Sequence, residues 1–316
     1  MQLIKALVLR LMFGVVSLLI ISFITFVASA VGKSDPARVI AGEKASQETY
    51  LRIYHQMGLD RPIPVRYGLY LNGLVHGDLG ESYQGTHEPV ADILKRCLPM
   101  TAKIAILSII LASFVGITLG TVAAVWENRF ADRTILTIST LGVTLPNFVL
   151  APVLVYIFAV KLDKLPVGWE SELKGPEWMY LLLPVIVLSL RPMAMLTRLT
   201  RASMVETLRQ EFIRAGIAKG VPPFRLVTKY ALRNAILPVI TTIGTTFGFL
   251  LTGSFVVERF FIIPGIGSKT IESIVSVDVP VIQACVLATG FMFVIVNTLV
   301  DLALPILDPR IREAQI

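Results

Sequence analysis

Residues 198–238 read RLTRASMVETLRQEFIRAGIAKGVPPFRLVTKYALRNAILP, and they decide how the rest of the chain is understood. Eight Lys and Arg residues fall between Arg198 and Arg233, and apolar runs of membrane-spanning length lie on both sides. A charged module set between two spans has to meet something outside the bilayer: headgroups, water or another protein.

The module is punctuated internally. Ser203-Met204-Val205-Glu206 has the spacing of a capping box, in which a serine caps the helix start and a glutamate reaches back. A helix is expected from there through Phe212 and Ile213 to Lys219, with Gly220 as its stop. Pro222 and Pro223 suit the first turn of a second helix, where a missing N–H costs nothing. That helix runs from Phe224 to Asn234, towards the next span. Val205, Leu208 and Phe212 share one stripe of the first helix. Two surfaces are open to such a stripe, anionic lipid or a groove on a partner protein. A DNA-reading helix–turn–helix does not fit between two membrane anchors.

The surrounding composition fixes the class. Of 316 residues, 54% are hydrophobic and 16% charged, against about a quarter charged in a soluble domain. The chain is an all-α polytopic membrane protein. Its net charge of +7 belongs to loops beside spans rather than to a basic nucleic-acid-binding domain, so no nucleic acid is expected as a partner. Runs long enough to cross a ~30 Å hydrocarbon core lie at 11–31, 104–125, 135–160, 179–197, 235–257 and 279–300. The first could be a cleaved signal peptide, since Ala28-Ser29-Ala30 has the small-x-small look of a cleavage site. Its apolar run exceeds the ~7–15 residues of a signal core, which favours an uncleaved span.

The sizeable polar region outside the central module is 35–96. A helix over 45–57 closed by Gly58, a turn at Asp60-Arg61-Pro62, and a Gly-punctuated turn over His76-Gly77-Asp78-Leu79-Gly80 are expected there. His76 with Asp78 is too small a set to hold a metal. Gly32-Lys33-Ser34 resembles the end of a phosphate-binding loop, but Val27 stands where its first Gly belongs; at 267–270, Ser268 stands where Gly must precede Lys. No nucleotide site is expected on this chain. Cys97 and Cys285 show no metal spacing; both fall near span ends on one side, where packing as small apolar thiols or a bridge is open.

Six spans put both termini on one side. Lys5, Arg10, Arg129, Arg133, the eight of the central module, Arg310 and Arg312 fall on that side, against five in the two short opposite loops. This bias makes the termini and the module cytoplasmic and the 35–96 region external. The boundaries expected are 1–31 for the N-terminus and first span, 32–99 external, 100–306 for a five-span core holding the loop at 198–235, and 307–316 for a cytoplasmic tail. Within spans, Arg191 beside Pro192 must face protein or water, Asn147 beside Pro146 marks a kink or a path, and Asp301 lies near an inner end. Arg191-Pro192 interrupts the fourth run. Trp169, Trp178 and Tyr180 suit an interfacial aromatic belt.

Arg214-Ala215-Gly216-Ile217-Ala218-Lys219-Gly220, followed by Tyr230-Ala231-Leu232-Arg233 and Leu237-Pro238, resembles the cytoplasmic loop of ABC-importer permeases. Their pattern is Glu-Ala-Ala, three residues, Gly, nine residues, Ile-x-Leu-Pro. Ala215, Gly220 and Leu232 keep its spacing; Arg214, Gly216 and Arg233 depart from it. The departures at Arg214 and Arg233 are similar to the oligopeptide/dipeptide branch, while Gly216 replaces that branch's Ala. Gly58-Leu59-Asp60-Arg61-Pro62, His76–Gly80, Pro264-Gly265-Ile266-Gly267 and Asp308-Pro309-Arg310-Ile311-Arg312 extend the likeness to the B-type subunit over nearly the whole chain.

The resemblance implies a type I permease of six spans in the bacterial inner membrane, one half of a pore. Its partners would be a C-type permease, two cytoplasmic ATPases that hydrolyse ATP with Mg, and an external peptide-binding protein. The chain itself would need no cofactor and catalyse nothing. Leu208, Phe212, Ala215 and Gly216 would face the ATPase, Arg214 and Lys219 would add rim charge, and Gly220, Tyr230 and Arg233 complete the coupling set. Asn147 and Arg191 would line the path. Oligopeptides or dipeptides are the cargo implied, with nickel or glutathione as alternatives. A stand-alone secondary transporter is the reading from a different class, and it lacks the repeats that class shows.

Overall fold

The computed structural model describes residues 2–32, 35–42, 44–85, 87–170 and 174–307. The helices are α1 Gln2–Val31, α2 Pro36–Ala41, α3 Gln47–Gln56, α4 Ile63–Val75, α5 Val90–Val125, α6 Phe130–Thr144 and α7 Asn147–Val155. They continue with α8 Glu177–Leu208, α9 Glu211–Ala218, α10 Pro223–Arg225, α11 Leu232–Ala235, α12 Leu237–Gly253, α13 Phe255–Phe260, α14 Ile266–Val275 and α15 Val279–Leu307. π-helical turns extend α7 over Tyr156–Lys161 and join α10 to α11 over Leu226–Ala231. Among the described residues, four helices are long and apolar enough to cross a membrane, or up to six if each of two bent pairs is one span. The Lys33-Ser34 pair and the 308–312 motif lie outside the described residues, as does the side chain of Asp301.

Three expected spans differ in detail. The run at 135–160 starts earlier, at Phe130, and breaks by 105° between α6 and α7. The cause is Pro146, which drives Leu145 into extended backbone (ψ 122°) and leaves the next helix to start afresh. The fourth run is not interrupted at Arg191-Pro192. α8 passes through both Pro184 and Pro192, because a proline removes a single ladder bond that packed neighbours can compensate. The run at 235–257 bends by 55° at Ile236 and its helix ends at Gly253. Tyr180 is not a belt residue: it is buried, edge-on to Trp169 at 6.0 Å, whereas Trp178 is exposed.

The chain divides into two compact units, Met1–Thr101 with Ile262–Val294, and Ala102–Phe261 with Ile295–Ile316. In the first, α1 lies against α4, with Tyr67 Oη 2.9 Å from Ser22 Oγ and its ring 5.3 Å from Phe23 and Phe26. The α3 helix follows its expected range, capped by Ser46 and ended before Gly58 at φ +65°. His76 Nδ1 contacts the Asn72 carbonyl, and Asp78 accepts from the Gly80 N–H. The loop before α5 is tied down from far along the chain: buried Asp278 accepts from the Ser82 hydroxyl and, at 3.1 Å, from the Tyr83 N–H. Cys97 and Cys285 form no disulfide and are buried in one apolar cluster with Val90, Ile93, Ile266 and Val281.

In the second unit α8 is the axis. α5 approaches it at Gly116 and Gly120, where an added Cβ would meet the Met193 carbonyl at 2.9 Å and the Thr197 carbonyl at 2.5 Å. Two glycines four apart clear one face of a helix for backbone contact. α6, α7, α12 and α13 surround the remainder of α8.

Candidate functional site

The Ser203 capping box does not start a helix. α8 runs through it, with Met204 fully buried, and breaks only at Arg209-Gln210. Burial of Met204 is worth more than a surface cap, so the helix continues inward-facing side first. The short helix of the module is therefore α9, eight residues long, with Gln210 before it and no side-chain cap. Its end is as expected: Gly220 takes φ +72°, and the Val221 N–H reaches back to the Gly216 carbonyl at 3.1 Å. Pro222 precedes the next helix and Pro223 opens it.

The module has a small core of its own. Met204, Ile213, Leu226, Ala231 and Ala235 cluster with Ala124 of α5, and Val205, Leu208, Val221 and Leu232 pack against them. This corrects the expected outward face. Gly216 is buried, and a Cβ there would come within 2.7 Å of Leu226 Cδ1. Leu208 is turned to the same core. Phe212 and Ala215 do face outward, as do Arg214 and Lys219. Sequence reasoning missed Ile217, 61% exposed, and Phe224, 81% exposed, which with Phe212 and Tyr230 extend the apolar surface over two helices. The signal available was the lone phenylalanine directly after Pro222-Pro223, at the start of the helix that also carries Tyr230 and Arg233. Arg233 is exposed on α11.

Two ion pairs fasten this module to the α5–α6 turn. Arg201 donates through Nε and Nη2 to the two carboxylate oxygens of Asp132, both at 2.7 Å, and Asp132 also accepts from the Asn128 N–H at 2.8 Å. Asp132 is 2% exposed. Arg209 holds Glu127 at 2.8 Å nearer the surface. A bidentate guanidinium–carboxylate pair fixes orientation as well as distance, so the end of α8 is held in register with the start of α6.

The second candidate feature is in the same unit. Asn147 and Arg191, singled out separately in the sequence, line one cavity of about 300 Å³ with Val143, Pro146, Phe148 and Val256. It opens where the α6–α7 pair breaks. Arg191 lies about 21 Å along α8 from Glu177 at ~1.5 Å per residue, and no ion pair reaches it among the described residues. The site can thus present a cation and an amide to a polar solute.

Residues 116–313 match the family described as "Binding-protein-dependent transport system inner membrane component", and residues 3–105 its companion "Binding-prot-dependent transport system membrane comp, N-term". A dipeptide transport system permease protein of Bacillus subtilis is 38% identical over 297 residues, 94% of each chain. A glutathione transport system permease protein of Escherichia coli is 38% identical over 304 residues, covering 96% of this chain and 97% of the relative. In structure, the chain is similar to one from the MetNI methionine ABC transporter in an inward facing conformation. The TM-score is 0.57 at 16% identity, over 68% of this chain and 96% of that one.

Proposed function

Because this chain belongs to the family of binding-protein-dependent transport system inner membrane components, we propose that it is the pore-forming subunit through which an ATP-driven importer passes dipeptides or oligopeptides. The family makes it a membrane component of a transport system; in this reading ATP hydrolysis takes place on partner chains. The partners in this reading are a second, C-type permease, two ATPases that use ATP and Mg, and an external peptide-binding protein. Both termini and the 198–238 module lie in the cytoplasm of a bacterial inner-membrane protein.

The observation that carries the reading is the packed module itself. The module stands on its own apolar core, the end of α8 is clamped to α6 by the Asp132–Arg201 pair, and Phe212, Ile217, Phe224 and Tyr230 are offered outward. An apolar surface on a rigid support is what a groove on a driving subunit can grip; a lipid-surface helix would need no such clamp. Asn147 and Arg191 line the path in this proposal, where the cation meets the carboxylate of passing cargo. Glutathione, itself a short peptide, is the alternative cargo, supported by the Escherichia coli relative.

The test is reconstitution. Proteoliposomes holding this chain, its co-purifying permease and ATPase subunits and a peptide-binding protein should accumulate a labelled dipeptide only with ATP. Uptake driven by this chain alone with an ion gradient, and no ATPase co-purifying, overturns the proposal.

A further inference from the structure

The first compact unit carries an open cavity of about 600 Å³, lined from α1, α3, α4, the 78–83 loop and the start of α15. That volume is in the range of small-molecule sites. Gln283 lines it while only 7% exposed, and its side-chain amide has no hydrogen-bond partner among the described residues. Because its amide atoms are not sealed inside the protein, they are open to a ligand in the cavity. Two cations also line the cavity, Arg61 and Arg66, and neither is in an ion pair among the described residues. The carboxylates on the same wall are already occupied. Asp35 accepts from the Tyr50 hydroxyl at 2.7 Å and the Ala37 N–H at 3.0 Å, and Asp78 from the Gly80 N–H at 2.9 Å. Arg66 is half-buried, its guanidinium 5.9 Å from the Phe26 ring centre, a position that holds the side chain in place without neutralising it. Tyr54, Tyr70 and Tyr83 supply flat walls.

We propose that this cavity is a waiting site for the carboxylate end of a short peptide, with Arg66 and Arg61 on the carboxylate and Gln283 on the adjacent peptide bond. The inference rests on the peptide-import reading and adds to it a binding site on the permease itself. A guanidinium pairs with a carboxylate through two parallel hydrogen bonds. A glutamine amide offers one acceptor and two donors, the complement of a peptide N–H and C=O; a phosphate, which only accepts, uses half of that. The tyrosine rings bracket the terminal side chain, and aromatic end groups are favoured for that reason. Burial pushes the phenols of Tyr70 and Tyr83 up to about 12, so both remain donors at neutral pH.

The experiment is equilibrium binding of radiolabelled alanyl-phenylalanine to the full-length chain in nanodiscs without ATP, beside the same dipeptide with an amidated C-terminus. Wild type should bind the free acid saturably and the amide at least tenfold more weakly. This comparison needs no variant and so no assumption about folding. Arg66→Gln and Gln283→Leu should each weaken the acid at least fivefold with unchanged thermal unfolding, and Arg66→Lys should recover part of the loss. Equal binding of acid and amide, or wild-type binding by both variants, overturns the site. So does a phospholipid seen by native mass spectrometry on wild type and lost in Arg66→Gln, which would make the cavity a headgroup site. ATP-driven uptake is measured in parallel. Uptake without carboxylate-dependent binding overturns the cavity alone, whereas absence of any peptide uptake overturns the transport reading beneath it.

Discussion

Gly220 and Gly120 are glycines for opposite reasons. At Gly220 the backbone is left-handed at φ +72° and nothing lies within 4 Å of where a Cβ would be. The constraint is conformational, about 1–2 kcal/mol for an L-residue. Gly220→Val should therefore leave expression intact, loosen the end of α9, and cut ATP-driven uptake while ATP hydrolysis continues; normal uptake at normal expression would sink the coupling role. At Gly120 the backbone is ordinary helix and the constraint is space, since a Cβ would come within 2.5 Å of the Thr197 carbonyl. Gly120→Val should push α5 from α8 and cost about 1–3 kcal/mol, read as a lower melting temperature in detergent. Tyr70 and Tyr83 give a third prediction. Their folded pKa is raised by burial from the usual 10 to about 12. Stability from the neutral phenols is complete below about pH 10 and is lost as pH rises towards 12. Phenolate absorbance should show three late-titrating tyrosines among the eight, Tyr50 joining them through its hydrogen bond to Asp35, and one fewer in Tyr70→Phe. Of these residues, Gly220 could be read from sequence, because a glycine before Pro-Pro has few other meanings. Gly120 could not, since its partner is 77 positions away.

Among elements, α8 with α9 repays most attention. A serine three residues before a glutamate has capping spacing whether or not a helix begins there. The burial of Met204 in the cluster with Ile213 and Leu226, invisible to local pattern, decided that α8 continues to Leu208. The actual break, Arg209-Gln210, carries neither Gly nor Pro. By contrast Pro146 and Pro222-Pro223 announced real discontinuities, because proline acts on its own backbone and its neighbour's. Asp132–Arg201 joins residues 69 apart and left no signature in the sequence. Removing one partner leaves a buried charge uncompensated, at about 3–5 kcal/mol in comparable pairs. Asp132→Ala should lower thermal stability substantially, Arg201→Ala similarly, and the double variant less than their sum. Additive losses in that cycle would mean that the two side chains do not act together.

For the whole molecule, the class was legible at once from 54% hydrophobic residues, and six apolar runs correspond to four whole helices and two bent pairs. Tertiary grouping was not legible. The last helix contributes Val281, Ala284 and Cys285 to a core with Val90 and Ile93, residues nearly two hundred positions earlier. The orientation drawn from the Lys/Arg bias has a direct check. Single cysteines at His55 and Phe224, in a chain with Cys97 and Cys285 replaced by Ala, should react with a membrane-impermeant maleimide from opposite sides, His55 in intact cells and Phe224 only after permeabilisation. The link from Ser82 and Tyr83 to Asp278 sets a clock on biogenesis. The carboxylate that anchors that loop is encoded 196 residues after Ser82. At translation rates of about 5–20 residues per second the loop waits about 10–40 s for it. Throughout that interval the nascent chain exposes an untied segment, open to chaperones and quality-control proteases until Asp278 emerges to close it.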